Sequence, residues 1–235
     1  MSSLRIGGLI FPEIDQADFT GPFEVLSRLP DSEFLVIGAN LEPIRDAKGL
    51  ILTPEITFDD TPTLDVLLVP GGPGVNVLME DELTLNFLRH QAAGARLVLS
   101  VCTGALLLGA AGMLQGRRAT THWASHHLLP LFGALPQSAR VVVDGHLVTA
   151  AGVTSGIDAA LQVAAILCGE QIAQEIQLAM EYAPAPPFAS GSPATAPASV
   201  RDAVERSNRT LVAERTDLAR RIATRLGISL AALSF

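Results

Sequence analysis

The chain has 235 residues, of which 49% are hydrophobic, and a formal net charge of -8. This length fits one large domain, or one domain with a short appendage. The hydrophobic content is enough for a core, which argues against a disordered chain. The acidic balance argues against a general nucleic-acid-binding surface, although the segment after Ser199 holds seven arginines against four acidic residues. We therefore expect no nucleic-acid partner.

The sequence also argues against a membrane or secreted protein. No charged leader precedes an apolar signal segment, and the longest apolar runs, such as residues 105–111, are too short to span a bilayer. Two cysteines, Cys102 and Cys168, are too few for a disulfide framework and lack the paired spacing of zinc ligands. We expect a cytoplasmic protein with no membrane association and no metal site.

The predicted elements alternate between strands and helices. Residues 4–11 form an apolar run typical of a buried strand, and Thr20-Gly21-Pro22 predicts the start of a helix, with a capping hydroxyl and an early proline. Further strands are predicted at residues 34–39, 64–69 and 96–101, and a hairpin over 140–150 that turns at Asp144-Gly145. Further helices are predicted at about 81–93, 103–114, 155–168, 170–181 and 200–226.

This alternation predicts an α/β fold with a doubly wound, mostly parallel sheet and helices on both of its faces. A Pro- and Ala-rich segment, residues 183–198, is expected to run extended over the surface, so that a catalytic domain over 1–197 precedes a helical extension over 198–235. Parallel sheets place their sites at the carboxyl ends of strands, which directs attention to residues 13–20, 71–74 and 102–104.

Cys102 is the main candidate for chemistry. It lies between a predicted buried strand and an Ala- and Leu-rich helix, in the order of a nucleophile elbow. Backbone N–H groups and the dipole at the helix start stabilise a thiolate there. The alternative is an inert core cysteine, which is the role we assign to Cys168. The position of Cys102 favours the nucleophile.

Asp18 is the candidate acidic partner, because the turn after the first strand can approach Cys102 in such a fold. Its simpler role is to cap a helix. Beside the sulfur, the two groups would titrate as a coupled pair, since two adjacent negative charges are costly in a poorly solvated site. A protonated Asp18 is then a general acid. Glu13, Asp15 and Glu24 are competing acids that the sequence does not rank.

The glycine-rich turn at Gly71 and Gly72 is either a bare connection or a source of backbone N–H groups for charge on a substrate, with the N–H of Thr103 as a second donor. It has the spacing of neither a P-loop nor a dinucleotide-binding loop. His122 is either a catalytic base at the pocket or a structural histidine, and Val153 lies in a turn that either lines the pocket or merely begins a helix. His126 and His127 are expected at the surface.

Five motifs carry a resemblance to a known superfamily: Asp18-Phe19-Thr20-Gly21-Pro22, Pro70-Gly71-Gly72-Pro73-Gly74, Ser100-Val101-Cys102-Thr103-Gly104, Thr121-His122-Trp123 and Gly152-Val153-Thr154-Ser155-Gly156-Ile157-Asp158. Together they resemble the PfpI / class I glutamine-amidotransferase-like superfamily over residues 5–197. Within it the chain resembles the isonitrile-hydrating members most closely, in part through the segment 181–188. Shorter pieces of them also occur in the sensor domains of AraC-type regulators.

The resemblance implies a flavodoxin-like fold, a homodimer, Cys102 as the nucleophile and Asp18 as its acidic partner. It implies an isonitrile as the small-molecule substrate, a thioimidate intermediate on Cys102 and no cofactor. Peptidase-like members carry a histidine directly after the nucleophile, where this chain has Thr103, and this departure argues against a protease or amidotransferase.

Two other functions remain open. One is a ligand-sensing domain, because residues 218–229 resemble the start of a helix-turn-helix, although only six residues follow Ser229, too few for a recognition helix. The other is a glyoxalase or deglycase, whose members generally pair the cysteine with a glutamate and a histidine, so that Asp18 and Thr103 argue against it.

Overall fold

The computed structural model describes residues 3–229 and contains a central seven-stranded sheet. The strands in chain order are β1 (Leu4–Leu9), β2 (Ser32–Gly38), β3 (Ile44–Arg45), β4 (Ile51–Leu52), β5 (Ile56–Thr57), β6 (Val66–Val69), β7 (Leu97–Val101), β8 (Arg118–Ala119), β9 (Leu135–Pro136), β10 (Val141–Asp144) and β11 (Leu147–Ala150). The helices are α1 (Gln16–Leu26), α2 (Val75–Leu78), α3 (Glu82–Gly94), α4 (Gly104–Ala110), α5 (Ser155–Cys168), α6 (Glu170–Ala179) and α7 (Ala198–Arg225), with a 3-10 helix at Trp123–Phe132.

The central sheet has the strand order β10-β11-β7-β6-β1-β2-β5, and its neighbours are parallel except for the antiparallel pair β10 and β11. The chain passes from β1 to β2 on one side and then returns to β6 on the other, so that the order reverses between β1 and β6. Such a reversal opens a crevice at the carboxyl ends of the strands. The predicted doubly wound α/β fold is confirmed.

The core explains the apolar runs in the sequence. Every residue of β6 and β7 is buried, as a strand covered on both faces requires. Helices α1 and α5 pack against each other, and α5 also packs against β7 and β11, while α4 packs against β6 and β7. Burial between these layers fixes the strand ends that carry the candidate residues.

The start of α1 differs from the prediction. The helix begins at Gln16, because the Asp15 side chain accepts a hydrogen bond from the Ala17 N–H and caps it. Thr20-Gly21-Pro22 therefore lies inside the helix, and the prediction of a helix start there is wrong.

The end of α4 also differs from the prediction. The helix ends at Ala110 rather than at residue 114, since Gly112 adopts a positive φ of 84°.

The C-terminal helix α7 is joined to the body of the protein. Its buried residues Arg215, Ala219, Ile222 and Ala223 face inward, and the last three belong to the same hydrophobic core as the sheet. The preceding residues 183–197 form no helix or strand and are mostly exposed, as predicted. The predicted helix-turn-helix start lies within α7 and the turn after it, and residues 230–235 lie outside the described part. No described helix is long and apolar enough to cross a membrane.

Candidate active site

Three strand ends meet at one place in the structure, as predicted. Asp18, in the first turn of α1, accepts a 2.9 Å hydrogen bond at Oδ2 from the Gly71 N–H, which follows β6. Thr103, which follows β7, accepts a 3.0 Å hydrogen bond at Oγ1 from the Gly72 N–H. The Asp15 N–H also donates to the Gly71 carbonyl oxygen at 2.9 Å. The glycine turn is thus bonded to both neighbouring segments.

The absence of side chains at the turn allows this close approach. A Cβ on Gly71 would lie 2.5 Å from the Thr103 nitrogen and 2.9 Å from Asp18 Oδ2. A Cβ on Gly72, whose φ is 133°, would lie 2.4 Å from the Asp15 nitrogen. Both glycines are therefore required by geometry.

Cys102 occupies a strained turn between β7 and α4. Its φ is 55°, in the left-handed region that non-glycine residues rarely adopt. Its N–H donates to Ala150 at 3.1 Å, and its carbonyl oxygen accepts a 2.6 Å bond from Thr121 Oγ1. The residue is only 7% exposed. This is the geometry of a nucleophile elbow, in which the surroundings hold the backbone in an unfavourable conformation.

Burial raises the pKa values of both Cys102 and Asp18. For the Cys102 thiol, loss of solvent is the main cause and the charge of Asp18 adds to it, while the Thr103 N–H acts in the opposite direction. For Asp18, burial and the charge of Asp15 raise the pKa to about 8, against the lowering effects of the Gly71 N–H and the Cys102 side chain. Asp18 is therefore mainly protonated at neutral pH.

The structure separates Asp18 from the competing acids. Asp18 is fully buried, whereas Glu13 and Glu24 are exposed, and Glu24 pairs with Arg28. Asp15 is half-buried and its carboxylate caps α1. Among the described residues, Asp18 Oδ1 makes no hydrogen bond of good geometry. This oxygen remains available to the thiol or to a bound molecule.

The glycine N–H groups are used within the protein. Gly71 donates to Asp18 and Gly72 donates to Thr103 Oγ1, so neither N–H is free for a substrate in this arrangement. Of the two alternatives for the glycine turn, these bonds favour the connection over the donor to a substrate. The Thr103 N–H, in contrast, acts on the Cys102 sulfur.

His122 has the contacts of a structural residue. Its Nδ1 accepts a 3.3 Å hydrogen bond from the Ala124 N–H and caps the 3-10 helix, and burial followed by the charge of Arg215 lowers its pKa. The ring is neutral at pH 7. The turn that carries half-buried Val153 lies beside it, since a Cβ on Gly152 would be 3.7 Å from His122 Cδ2.

The other two histidines of this region differ from each other. His127 is exposed, as predicted, but His126 is half-buried and its Nε2 lies 3.1 Å from the Gln137 carbonyl oxygen. The surface prediction for His126 is wrong because the 3-10 helix turns this ring toward the segment after β9. Within residues 3–229, no group of three or more His, Cys, Asp or Glu side chains could hold a metal ion.

Sequence reasoning missed Arg215, which α7 brings to the site. Its guanidinium group is buried and donates to Asn76 Oδ1, Ser125 Oγ and the Gly72 carbonyl oxygen. The sequence held one indication of this position. The spacing of Arg215 from Ala219, Ile222 and Ala223 places it in the same buried stripe of the helix.

The strand ends, the elbow and the sheet order agree with a comparison to known families, in which the model of the DJ-1/PfpI family matches residues 5–166. The chain belongs to the DJ-1/PfpI family. The predicted superfamily is thereby confirmed.

Within the DJ-1/PfpI family, the chain is similar over nearly its whole length to the isonitrile hydratase of Pseudomonas putida. The two are 54% identical over 226 residues, which cover 96% of this chain and 99% of that protein. The chain is also similar to the crystal structure of a THiJ/PfpI family protein from Pseudomonas syringae, with 38% sequence identity and a TM-score of 0.90. The match covers 93% of this chain and 91% of that protein's chain.

The chain is also similar to a transcriptional regulator, but over a shorter region. The HTH-type transcriptional regulator GbdR of Pseudomonas aeruginosa is 31% identical over 134 residues, which cover 56% of this chain and 35% of the regulator. Most of the regulator therefore has no counterpart in this match.

Proposed function

We propose that this DJ-1/PfpI protein is an isonitrile hydratase, a lyase that converts an isonitrile and water to an N-substituted formamide. The observation that carries the proposal is the buried pair of Cys102 and Asp18. A strained elbow presents the sulfur, and a carboxyl group that is protonated at neutral pH lies next to it. The near full-length similarity to a hydratase supports the same reaction.

The first step forms a covalent bond to Cys102. Burial raises the pKa values of both groups, so the reactive state forms when the pair loses one proton, and it is a Cys102 thiolate beside the Asp18 carboxylic acid. The sulfur attacks the terminal carbon of R–N≡C, and the same carbon takes the proton from Asp18. The product is a thioimidate, R–N=CH–S, attached to the enzyme, and Asp18 is left as a carboxylate.

The second step uses water and returns the proton. Water adds across the carbon–nitrogen double bond, with its oxygen on carbon and a proton on nitrogen, and the Asp18 carboxylate accepts the remaining proton as a general base. The carbon–sulfur bond then breaks and expels the Cys102 thiolate. An N-substituted formamide leaves, and the net change is the addition of one water molecule.

The neighbouring residues position this pair. The Thr103 N–H stabilises negative charge on sulfur, and its hydroxyl fixes the Gly72 turn, while Gly71 holds the Asp18 carboxyl group in place. We assign Val153 and the edge of the His122 ring to the apolar wall that accepts the organic group R. Because His122 caps a helix through Nδ1, we give it no proton-transfer role.

The proposal is tested by the loss of an aryl isonitrile and the appearance of its N-formamide. We expect turnover by the wild type, none by Cys102→Ala, and a rate reduced by roughly 10²- to 10⁴-fold in Asp18→Asn, the range for loss of a general acid. Cys168→Ala, at the other cysteine, is the matched control and should retain the wild-type rate.

Absence of turnover by a folded wild type would contradict the proposal. Parallel assays with methylglyoxal and with duplex DNA at several salt concentrations would then examine the glyoxalase and regulator alternatives. A basic DNA-binding tail would show steep salt dependence.

The oligomeric state and the cellular location of the protein are inferred from its surface and its cysteines. We infer a homodimer, supported by apolar side chains exposed on the outer helices, including Ile166 on α5 and Leu178 on α6, the latter 81% exposed. Sedimentation velocity should give twice the mass of one chain. We infer a cytoplasmic location, supported by the free thiols of Cys102 and Cys168, which suit a reducing compartment.

A further inference from the structure

Arg215 is a buried cation that reaches the active site from α7. Only 4% of the residue is exposed. Its Nε donates to Asn76 Oδ1 at 2.8 Å, its Nη1 donates to Ser125 Oγ at 2.9 Å, and its Nη2 donates to the Gly72 carbonyl oxygen at 3.4 Å. Three different segments of the body therefore fix the orientation of the guanidinium group.

None of the partners of Arg215 carries a charge. Four other arginines of α7, Arg201, Arg220, Arg221 and Arg225, form ion pairs with carboxylates. Among the described residues, no carboxylate lies within ion-pair distance of the Arg215 guanidinium. A buried charge without a counter-charge is costly, and a negative charge that formed nearby during function would offset that cost.

The titratable groups around Arg215 identify that charge. Burial lowers the pKa of Arg215, and the charge of the Cys102 thiolate acts against this shift. Burial raises the pKa of Cys102, and Arg215 acts against that shift, while for His122 Arg215 adds to the lowering of the pKa by burial. Asp15 and Asp18, from the start of α1, act on Cys102 in the opposite direction. Arg215 therefore acts electrostatically on Cys102 and His122, and of these two Cys102 is the one that becomes an anion.

The hydrogen bonds give Arg215 a second connection to the nucleophile. The Gly72 carbonyl oxygen accepts from Arg215 and, at 3.4 Å, from Thr103 Oγ1, while the Gly72 N–H donates to the same hydroxyl. Thr103 is the residue next to Cys102 whose N–H acts on the sulfur. Arg215 therefore fixes the Gly72 turn, and this turn is hydrogen-bonded to Thr103.

We propose that Arg215 is a positioning residue of the active site, whose buried guanidinium group stabilises the anionic form of the Cys102 and Asp18 pair and braces the Gly72 turn. Helix α7 is then a working part of the site and not only an appendage. The inference rests on the nucleophile role of Cys102 in the proposed function.

The test measures the reactivity of Cys102 without any isonitrile. The rate of alkylation by iodoacetamide is followed from pH 6 to 10 by peptide-resolved mass spectrometry in the wild type, Arg215→Gln and Arg215→Lys. Since a nearby opposite charge shifts a pKa by about one unit or more, we expect Arg215→Gln to react about tenfold more slowly near pH 8, with its profile moved to higher pH. Arg215→Lys keeps the charge and should recover most of the rate.

Two controls isolate the charge at this position. Arg221→Gln removes an exposed arginine from the same helix, where it pairs with Glu80, and should leave the profile unchanged. Alkylation of Cys168 in the same samples serves as an internal reference and should have the same rate in every variant. Should Arg215→Gln be unfolded by circular dichroism, Arg215→Met, which keeps the apolar stem, replaces it in the same assay.

Two results would overturn the inference: a folded neutral variant whose profile superimposes on that of the wild type, or an Arg215→Lys variant as slow as the neutral one. Because no isonitrile is present, the outcome is independent of hydratase activity. A wild type that fails to hydrate isonitriles but shows the expected profiles would remove the proposed reaction and keep the role of Arg215.

Discussion

The Gly71 N–H donates a 2.9 Å hydrogen bond to Asp18 Oδ2 across 53 positions of sequence. This bond joins the end of β6 to the first turn of α1 at the point where the strand order reverses. It directs one carboxyl oxygen toward the backbone and leaves Oδ1 for the thiol or a bound molecule. A buried acid is thereby fixed in orientation while it keeps its proton at neutral pH.

The raised pKa of Asp18 predicts a pH-dependent stability. Between the usual pKa of 3.8 and the folded value of about 8, the folded state holds a proton that the unfolded state has lost, so the free energy of unfolding falls as pH rises through this window. The slope from this one group is at most about 1.4 kcal/mol per pH unit.

Asp18→Asn removes this titration and keeps an oxygen that can accept from Gly71. We expect the variant to gain stability relative to the wild type as pH rises from 5 to 8, measured by urea unfolding at each pH. A difference between the two proteins that stays constant over this range would contradict the raised pKa.

Substitution of Gly71 tests the close approach at the turn. In Gly71→Ala the new Cβ would lie 2.5 Å from the Thr103 nitrogen, so the backbone must shift. We expect a loss of about 1–3 kcal/mol in stability, the usual cost of overpacking, and a large loss of turnover because Asp18 and Thr103 are displaced. Gly191→Ala, where a Cβ meets nothing within 4 Å, is the control and should be near neutral. Equal behaviour of the two variants would argue against the tight turn.

The Thr103 hydroxyl is expected to matter through the hydrogen bond that it accepts. Thr103→Val keeps the shape but leaves the buried Gly72 N–H without its acceptor, which costs about 1–3 kcal/mol. Thr103→Ser keeps the hydroxyl and should retain most of the stability and turnover. Thermal unfolding of both variants checks this, and a valine variant as stable as the serine variant would refute it.

The backbone strain at Cys102 predicts an unusual ranking of two inactive variants. At a φ of 55°, glycine is free of the steric cost that alanine retains, which is about 1–2 kcal/mol. We expect Cys102→Gly to unfold at a higher denaturant concentration than Cys102→Ala, although glycine is the more flexible residue in the unfolded chain. The reverse order would mean that the turn is relaxed.

The parts of the fold and site that follow from local sequence were predictable. The position of Cys102 follows from an apolar strand that runs directly into an Ala- and Leu-rich helix, and the meeting of Asp18 with the glycine turn follows from the shared carboxyl edge of a parallel sheet. These patterns depend only on neighbours in the chain and on the general geometry of such sheets.

The parts that depend on tertiary contacts were not predicted. The helix start at Asp15 competed with a plausible later one at Thr20, and only the bond to Ala17 decides between them. The Gly72 N–H, which the sequence left open as a donor to a substrate, donates to the Thr103 hydroxyl. Arg215 is buried because α7 docks on the body. Its spacing places it in the buried stripe of the helix, but nothing in the sequence shows which surface that stripe contacts.

The order of synthesis gives the position of Arg215 a consequence. The segments that carry Asp18, Gly72 and Cys102 leave the ribosome before α7 does. Until α7 docks, the nascent chain holds a cysteine that lacks its buried cation. With the role proposed for Arg215, the thiol becomes fully reactive only after α7 has been made and has docked, which limits its exposure to stray electrophiles during translation.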